Sequence, residues 1–267
     1  MKSVARGKPH KKVVPAAQRV LAVLELLIAS RKGLTVSEIA RSLGLARSTT
    51  FYIINTIEEC GYIYRTSPRG PLTFTAKLLE LASGSLGCLG IRGPAAPFLR
   101  LLMQKTGLTV HLGVISQNEV VLIDKAAPTK GPPLATWVGK RMPIHCTGLG
   151  KALMAYLPAE QIEHHIQQGL IRYNENTIVS ASKLKDEYQR IRGRGFALDD
   201  EEETVGLRCI GAPLFDQNNQ AVAAISIAGT SSQLADEKLE SLVRAVTQAA
   251  GAISARMSGR LAIGNHG

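Results

Sequence analysis

Cys209, His145 and Asp199 offer the side-chain types of a nucleophile, a base and an orienting carboxylate. His145, Cys146, His164 and His165, taken with Cys209, are also ligand types suited to zinc. Neither set has the spacing such chemistry demands. The sequence holds no G-x-S-x-G elbow to expose a nucleophile, no phosphate-cradling glycine loop and no dinucleotide fingerprint. Its four cysteines, Cys60, Cys88, Cys146 and Cys209, form no CxxC pair, and the histidines follow no compact ligand pattern. Catalysis is therefore not expected, no cofactor is implied, and buried cysteine is ordinarily inert packing. A His/Cys metal site in the C-terminal half stays open as the alternative reading.

The chemistry that fits best is electrostatic. The net charge is +11, and residues 1–90 carry 13 basic against 5 acidic residues, whereas residues 91–267 are nearly balanced. A basic segment confined to one end suits a polyanion, because displacing counterions from phosphates drives binding. Residues 1–15 hold Lys2, Arg6, Lys8, Lys11 and Lys12 and no acid, and read either as a flexible basic arm that touches a DNA backbone or as a solubilising tail. No run reaches the ~18 apolar residues of a membrane span, and the N-terminus is a poor secretory signal. A cytoplasmic chain with reduced thiols and no membrane partner is expected.

Three helices should position the basic groups. Val20, Leu21, Leu24, Leu27 and Ile28 form one helical stripe over residues 16–30. Thr35 precedes Glu38 in a capping box, Val36, Ile39, Ala40 and Leu43 follow as an apolar face, and Gly44 sits where a left-handed cap is wanted. After the short turn Gly44-Leu45-Ala46, a helix begins near Arg47 with Thr50, Ile53, Ile54 and Ile57 inward and Arg47, Ser48, Phe51, Tyr52 and Asn55 outward. That is a helix-turn-helix, whose second helix can enter a major groove. Two short strands around Thr66–Pro71 then read as a β-hairpin wing carrying Arg65 and Arg69 toward phosphates or a minor groove.

The outward residues admit two roles each. Arg47 can bond guanine in bidentate fashion or clamp a phosphate. Ser48 and Thr49 can read bases or serve as helix-start caps. Phe51 can meet a thymine methyl or pack against the wing. Beyond a linker helix over residues 76–93, marked by Gly84, Gly87, Gly90 and Gly93, strands and helices alternate to about residue 260. Strands are expected near residues 110–115, 120–125, 210–215 and 221–227, with helices over 97–105, 149–157, 182–192 and 234–257. This order implies an α+β second domain with a mixed or antiparallel sheet. The acids Asp199–Glu203 read mainly as a solvated loop at Asp200, Glu201 and Glu203, with Asp199 and Glu202 the better functional positions.

Several ordered motifs carry a resemblance. Gly195–Glu202 followed by Cys209–Asp216, the stretch Pro143–Ala155, the strand Ala224–Gly229 and the turn around Leu45–Thr49 together resemble the IclR family of bacterial regulators, over residues 17–256. The resemblance implies a winged helix-turn-helix DNA-binding domain over residues 16–75 and a GAF/profilin-like α/β effector-binding domain over residues 94–260. It implies double-stranded operator DNA as a partner, a small-molecule effector such as an organic, aromatic or sugar acid, and a homodimer or dimer of dimers. By the same resemblance Leu134, Met142, Gly148, Leu149, Asp199, Leu207, Cys209, Ser226 and Ala228 line the effector pocket. Thr147–Gly150 either hold a carboxylate at a helix start or form a tightly packed turn. The family commonly places arginine where this chain has Tyr52. It often has a second serine at Ala228, whose absence points to a less polar or larger ligand.

Overall fold

The computed structural model describes residues 14–30, 32–88 and 90–259, so the basic arm expected over residues 1–15 lies almost wholly outside the described residues. The chain divides into two compact units, one ending at Ser85 and the other beginning at Leu86.

In the first unit α1 (Pro15–Ala29), α2 (Val36–Leu43) and α3 (Arg47–Glu59) pack around Val23, Leu27, Ile39, Ile54 and Ile57, with Ile63 and Leu72 from the wing. The wing is β1 (Ile63–Arg65) paired antiparallel with β2 (Leu72–Phe74). The capping box at α2 forms as expected: Glu38 N donates to Thr35 Oγ1, and the Glu38 carboxylate accepts from Thr35 N at 2.8 Å. Gly44 closes α2 in the left-handed region at φ 62°. The inner stripe of α1 differs from expectation, because Leu21 and Ile28 face solvent. The buried line runs through Val20, Val23, Leu24 and Leu27, the i, i+3, i+4, i+7 face, which leaves Leu21 and Ile28 on its flank.

The helix α4 (Ala76–Cys88) spans the boundary between the units. The second unit is a six-stranded antiparallel sheet in the order β5-β4-β3-β8-β7-β6. Its strands are β3 (Thr109–Ser116), β4 (Glu119–Ala126), β5 (Arg141–Met142), β6 (Ala197–Asp200), β7 (Leu207–Phe215) and β8 (Ala221–Thr230). On one face α5 (Arg92–Thr106) and α9 (Asp236–Met257) bury Leu99, Val246 and Ile253 against Val110, Leu112, Ile210, Ile225 and Ile227. On the other, α6 (Gly148–Met154), α7 (Ala159–Gln167) and α8 (Ala181–Arg194) bury Leu149, Leu153, Ile162, Leu184 and Tyr188 against Val120, Leu122 and Ala224.

Three elements were not expected: β5, β6 and α7. A two-residue strand carries almost no periodic signal, and β6 lies at the head of the acidic run. The helix α5 begins at Arg92 and carries Pro97 in its interior, where proline has no N–H to donate to the Gly93 carbonyl one turn back. The helix α6 ends at Met154, beyond which Tyr156 and Leu157 bond back three residues in a tighter turn.

Candidate functional site

The first candidate site lies on the N-terminal unit. Arg47, Ser48, Phe51 and Tyr52 of α3 and Arg65 and Arg69 of the wing line one groove of about 590 Å³. Thr35, Val36 and Ser37 at the start of α2, and Pro68 in the wing turn, complete it. Those four were not foreseen, although the capping box already marked the exposed first turn of α2. Thr49 and Asn55 do not line the groove.

One expectation needs correction. Ser48 and Thr49 do not cap α3, since its N-cap is Ala46 and no side chain closes it. Arg65, read as available for phosphate or minor-groove contact, lines the groove while its Nε donates to Glu58 at 3.0 Å and its Nη2 to Asn55 Oδ1 at 3.1 Å. The reason is spatial: β1 returns alongside the C-terminal half of α3, bringing Glu58 and Asn55 within reach. The same guanidinium lies 5.9 Å from the centroid of the Phe51 ring, so Phe51 does touch the wing while remaining 47% exposed.

The second site follows from strand alternation. Successive residues of a strand point to opposite faces, and Val110, Leu112, Ile210, Ile225 and Ile227 belong to the α5/α9 face. His111, Cys209, Ser226 and Ala228 therefore point to the α6 face. Register then gathers them: His111 pairs with Ser226, Cys209 with Ala228, and Asp199 with Cys209. Between them, α6 and the segment from Leu134 to Lys140 lies a cavity of about 190 Å³. All nine pocket candidates, Leu134, Met142, Gly148, Leu149, Asp199, Leu207, Cys209, Ser226 and Ala228, line it. Thr147, expected only as part of the turn at the helix start, lines it too, and so do His111, Thr136, Lys140, Glu203 and Thr204, which were missed. For His111 the signal was present, a polar residue on an otherwise apolar strand.

The polar groups of this cavity are strongly biased by burial. Asp199 is 3% exposed, and desolvation pushes its carboxyl up to about 7, although the Glu202 N–H at 2.8 Å and the Lys151 charge favour the anion. Desolvation holds His111 down at about 3, aided by Lys125 and Lys140, so the ring is neutral beside Thr136 Oγ1 at 2.8 Å. Lys125 in turn donates to the carbonyls of Leu134 and Thr136, which ties the covering segment to β4. Burial and the Asp199 charge push the Cys209 thiol far up, which removes it as a nucleophile.

The glycines at the head of α6 have a packing role. A Cβ on Gly150 would lie 2.1 Å from the Ile144 carbonyl oxygen, and one on Gly211 2.2 Å from that of Gly148. Gly150 N–H is already spent on Thr147 Oγ1. Close approach of Gly148 to β7 and of Gly150 to the Ile144 backbone explains why glycine stands at these positions, and Gly148 also lines the cavity.

Below the cavity Lys151, 1% exposed, donates to the Leu198 carbonyl at 2.5 Å and to the Glu202 carboxylate, with Glu187 at 3.9 Å. Asn174 and Thr177 hold the Glu202 carbonyl. The acidic run therefore sorts differently from expectation. Glu202 turns inward to Lys151 and does not line the cavity, whereas Glu203, read as solvated, does. Asp200 and Glu201 are anchored by Arg208 and by Gly206 and Ser231.

The alternative ligand set does not assemble. The rings of His145 and His165 lie 5.9 Å apart, but His145 Nε2 bonds the Ile171 carbonyl and His164 bonds Gln168. Among the described residues no three His, Cys, Asp or Glu side chains form a group able to hold a metal ion.

Comparison with known proteins bears on both units. Residues 84–255 match the family described as bacterial transcriptional regulator IclR, C-terminal, and residues 16–67 match the IclR helix-turn-helix domain. The chain is 32% identical over 240 residues to the transcriptional repressor IclR of Escherichia coli K12, covering 89% of this chain and 88% of that one. It is 32% identical over 256 residues to the transcriptional repressor AllR of Klebsiella pneumoniae, covering 93% and 94%. The crystal structure of the Thermotoga maritima IclR superposes with a TM-score of 0.78 at 30% identity, over 91% of this chain and 98% of that one.

Proposed function

Because this chain belongs to the IclR family of bacterial transcriptional regulators, we propose that it is an operator-binding switch set by a small organic metabolite in the cavity of its C-terminal unit. Its function is regulation of transcription through DNA binding and not catalysis. The groove of Arg47, Ser48, Phe51, Tyr52 and Arg69 meets operator DNA, with the N-terminal end of α3 nearest the base edges. Thr49, Asn55 and Arg65 support that surface. The chain works in the cytoplasm as a homodimer or a dimer of dimers, so that recognition helices act in pairs on repeated half-sites.

One observation carries the ligand reading. Residues from β5, α6, β6, β7, β8 and the segment at Leu134, far apart in sequence, converge on one cavity of about 190 Å³. An apolar shell with a few convergent polar groups is the usual form of a small-molecule site. Leu134, Met142, Leu149 and Leu207 supply the shell; Asp199, Ser226 and the backbone at Gly148 supply polarity. Ala228, beside Cys209 in the sheet, offers no donor. The effector is accordingly an organic, aromatic or sugar acid that is larger or less polar than pyruvate or glyoxylate. It acts by binding one global state better than the other, which is the only way a ligand shifts an equilibrium.

The test is a thermal-stability screen of the purified full chain against these three acid classes, followed by DNA binding with each stabilising compound. A ligand at ~100 times its dissociation constant adds ~2.7 kcal/mol. Ala228→Leu, which fills the cavity from β8, should abolish that gain. Stabilisation by pyruvate at tens of micromolar would contradict the size argument. A compound that stabilises the protein yet leaves DNA affinity unchanged would overturn the switch.

A further inference from the structure

The outward face of α3 is chemically lopsided. Its C-terminal half is closed by polar bonds: the Asn55 carbonyl accepts from Arg65, and Arg65 is paired with Glu58. Its middle carries two adjacent rings, Phe51 47% exposed and Tyr52 72% exposed, inside a groove whose rim is basic. Large apolar groups held in water on a functional face mark a contact surface. Arg47 and Arg69 line the same groove, so its charge complements DNA phosphate. The major-groove edges of the base pairs present one apolar group, the thymine 5-methyl.

We propose that Phe51 and Tyr52 read thymine methyl groups, so that the sequence preference of this chain is carried by T·A pairs lying under the two rings. The proposal rests on the reading of this groove as the DNA-contacting face. Base stacking fits the geometry less well. The rings stand edge to face, 6.2 Å between centroids and 73° between planes, and offer no common platform on which successive bases can lie flat. Arg65 sits by the Phe51 ring and leaves Tyr52 the freer of the two. Tyr52 is therefore the stronger reader, and Phe51 both contacts DNA and braces the wing.

The experiment uses duplexes that the purified full chain selects from a randomised pool. Each thymine of a selected duplex is replaced in turn by deoxyuridine, which removes the methyl and keeps the base pair. At a contacted position the affinity should fall about fourfold, equivalent to ~0.8 kcal/mol for one buried carbon. It should be unchanged elsewhere. In Tyr52→Ala or Phe51→Ala the matching deoxyuridine effect should vanish, whereas Tyr52→Phe should retain it. Tolerance of deoxyuridine at every position by a chain that still binds the duplex would overturn the inference and spare the DNA-binding reading. So would a Tyr52→Phe variant as impaired as Tyr52→Ala, because the hydroxyl would then be the contact. Failure to select any duplex would bring down the DNA-contacting face itself.

Discussion

Replacing Lys151 by methionine keeps the length and apolar stem of the side chain and removes its ammonium from a site 1% exposed. The group most affected is Glu202, whose carboxylate is 5% exposed and is paired with Lys151. Burial already holds the Glu202 carboxyl above its ordinary range, against the pull of Lys151. Without that charge the cheapest response is to take up a proton. Protonating a carboxyl of ordinary pKa ~4.3 at pH 7 costs at most about 3.7 kcal/mol, at ~1.36 kcal/mol per pH unit. For a unit of this size ~1 kcal/mol moves the melting temperature by ~2–4 °C, so the fall is about 7–15 °C at that ceiling. The sign follows from linkage. A folded-state pKa raised above the unfolded value contributes stability below the unfolded pKa and loses it as pH rises. The penalty should therefore shrink to about 1.6 kcal/mol at pH ~5.5. Removing both partners of a buried pair costs far less than removing one, so Lys151→Met/Glu202→Gln should recover most of the loss and lose its pH dependence. Thermal unfolding of wild type, single and double variants at the two pH values measures all of this. A single variant that melts with the wild type at pH 7, or one whose deficit ignores pH, would show that Glu202 does not depend on Lys151 for its charge.

Further outcomes follow from the same geometry. Arg47→Ala should weaken binding to a selected duplex and relax its preference at one base pair by about 5- to 150-fold, the ~1–3 kcal/mol of a bidentate contact; an unchanged profile across duplex variants would make Arg47 a bystander. Asp199, pushed up to about 7, gives stability that is whole below its unfolded pKa and lost as pH rises through 7. Asp199→Asn should remove that slope, worth at most about 4 kcal/mol, so denaturation of both proteins at about pH 5 and pH 8 should show the gap closing or reversing at the higher pH. Gly150→Ala forces a Cβ to within 2.1 Å of a carbonyl oxygen and should destabilise by about 3 kcal/mol. Gly251→Ala, with open space around it in the middle of α9, should instead stabilise by up to ~1 kcal/mol. Equal melting shifts for the two glycine variants would contradict the packing account.

How far the chain could be read without coordinates differs between its two halves. The helix-turn-helix was legible because each of its signals is local: a capping box closes within one turn, and Ile54 and Ile57 declare a face within two. The strand pairs joined by Gln117-Asn118 and by Asp216–Asn219 were legible for the same reason, since Gln117, Asn118 and Asn219 adopt the positive φ that tight turns need. The nine cavity residues were named through the family resemblance. Their period-two placement on β7 and β8 agrees with it, but periodicity alone could not say which face of the sheet held a void.

Other assignments depended on neighbours distant in the chain. Whether Glu202 or Glu203 faces the cavity turns on Lys151, some fifty positions earlier, and on Asn174 and Thr177 holding the loop between. Arg65 could not be known to be engaged until β1 came back along α3 and met Glu58 and Asn55. His111 became a neutral wall of the cavity once the segment at Thr136 closed over it. Helical and strand patterns reflect forces between residues a few positions apart, and composition and order record them. Charge pairing, desolvation and the shape of a void arise from groups brought within a few ångströms by the whole fold, and no local pattern encodes them.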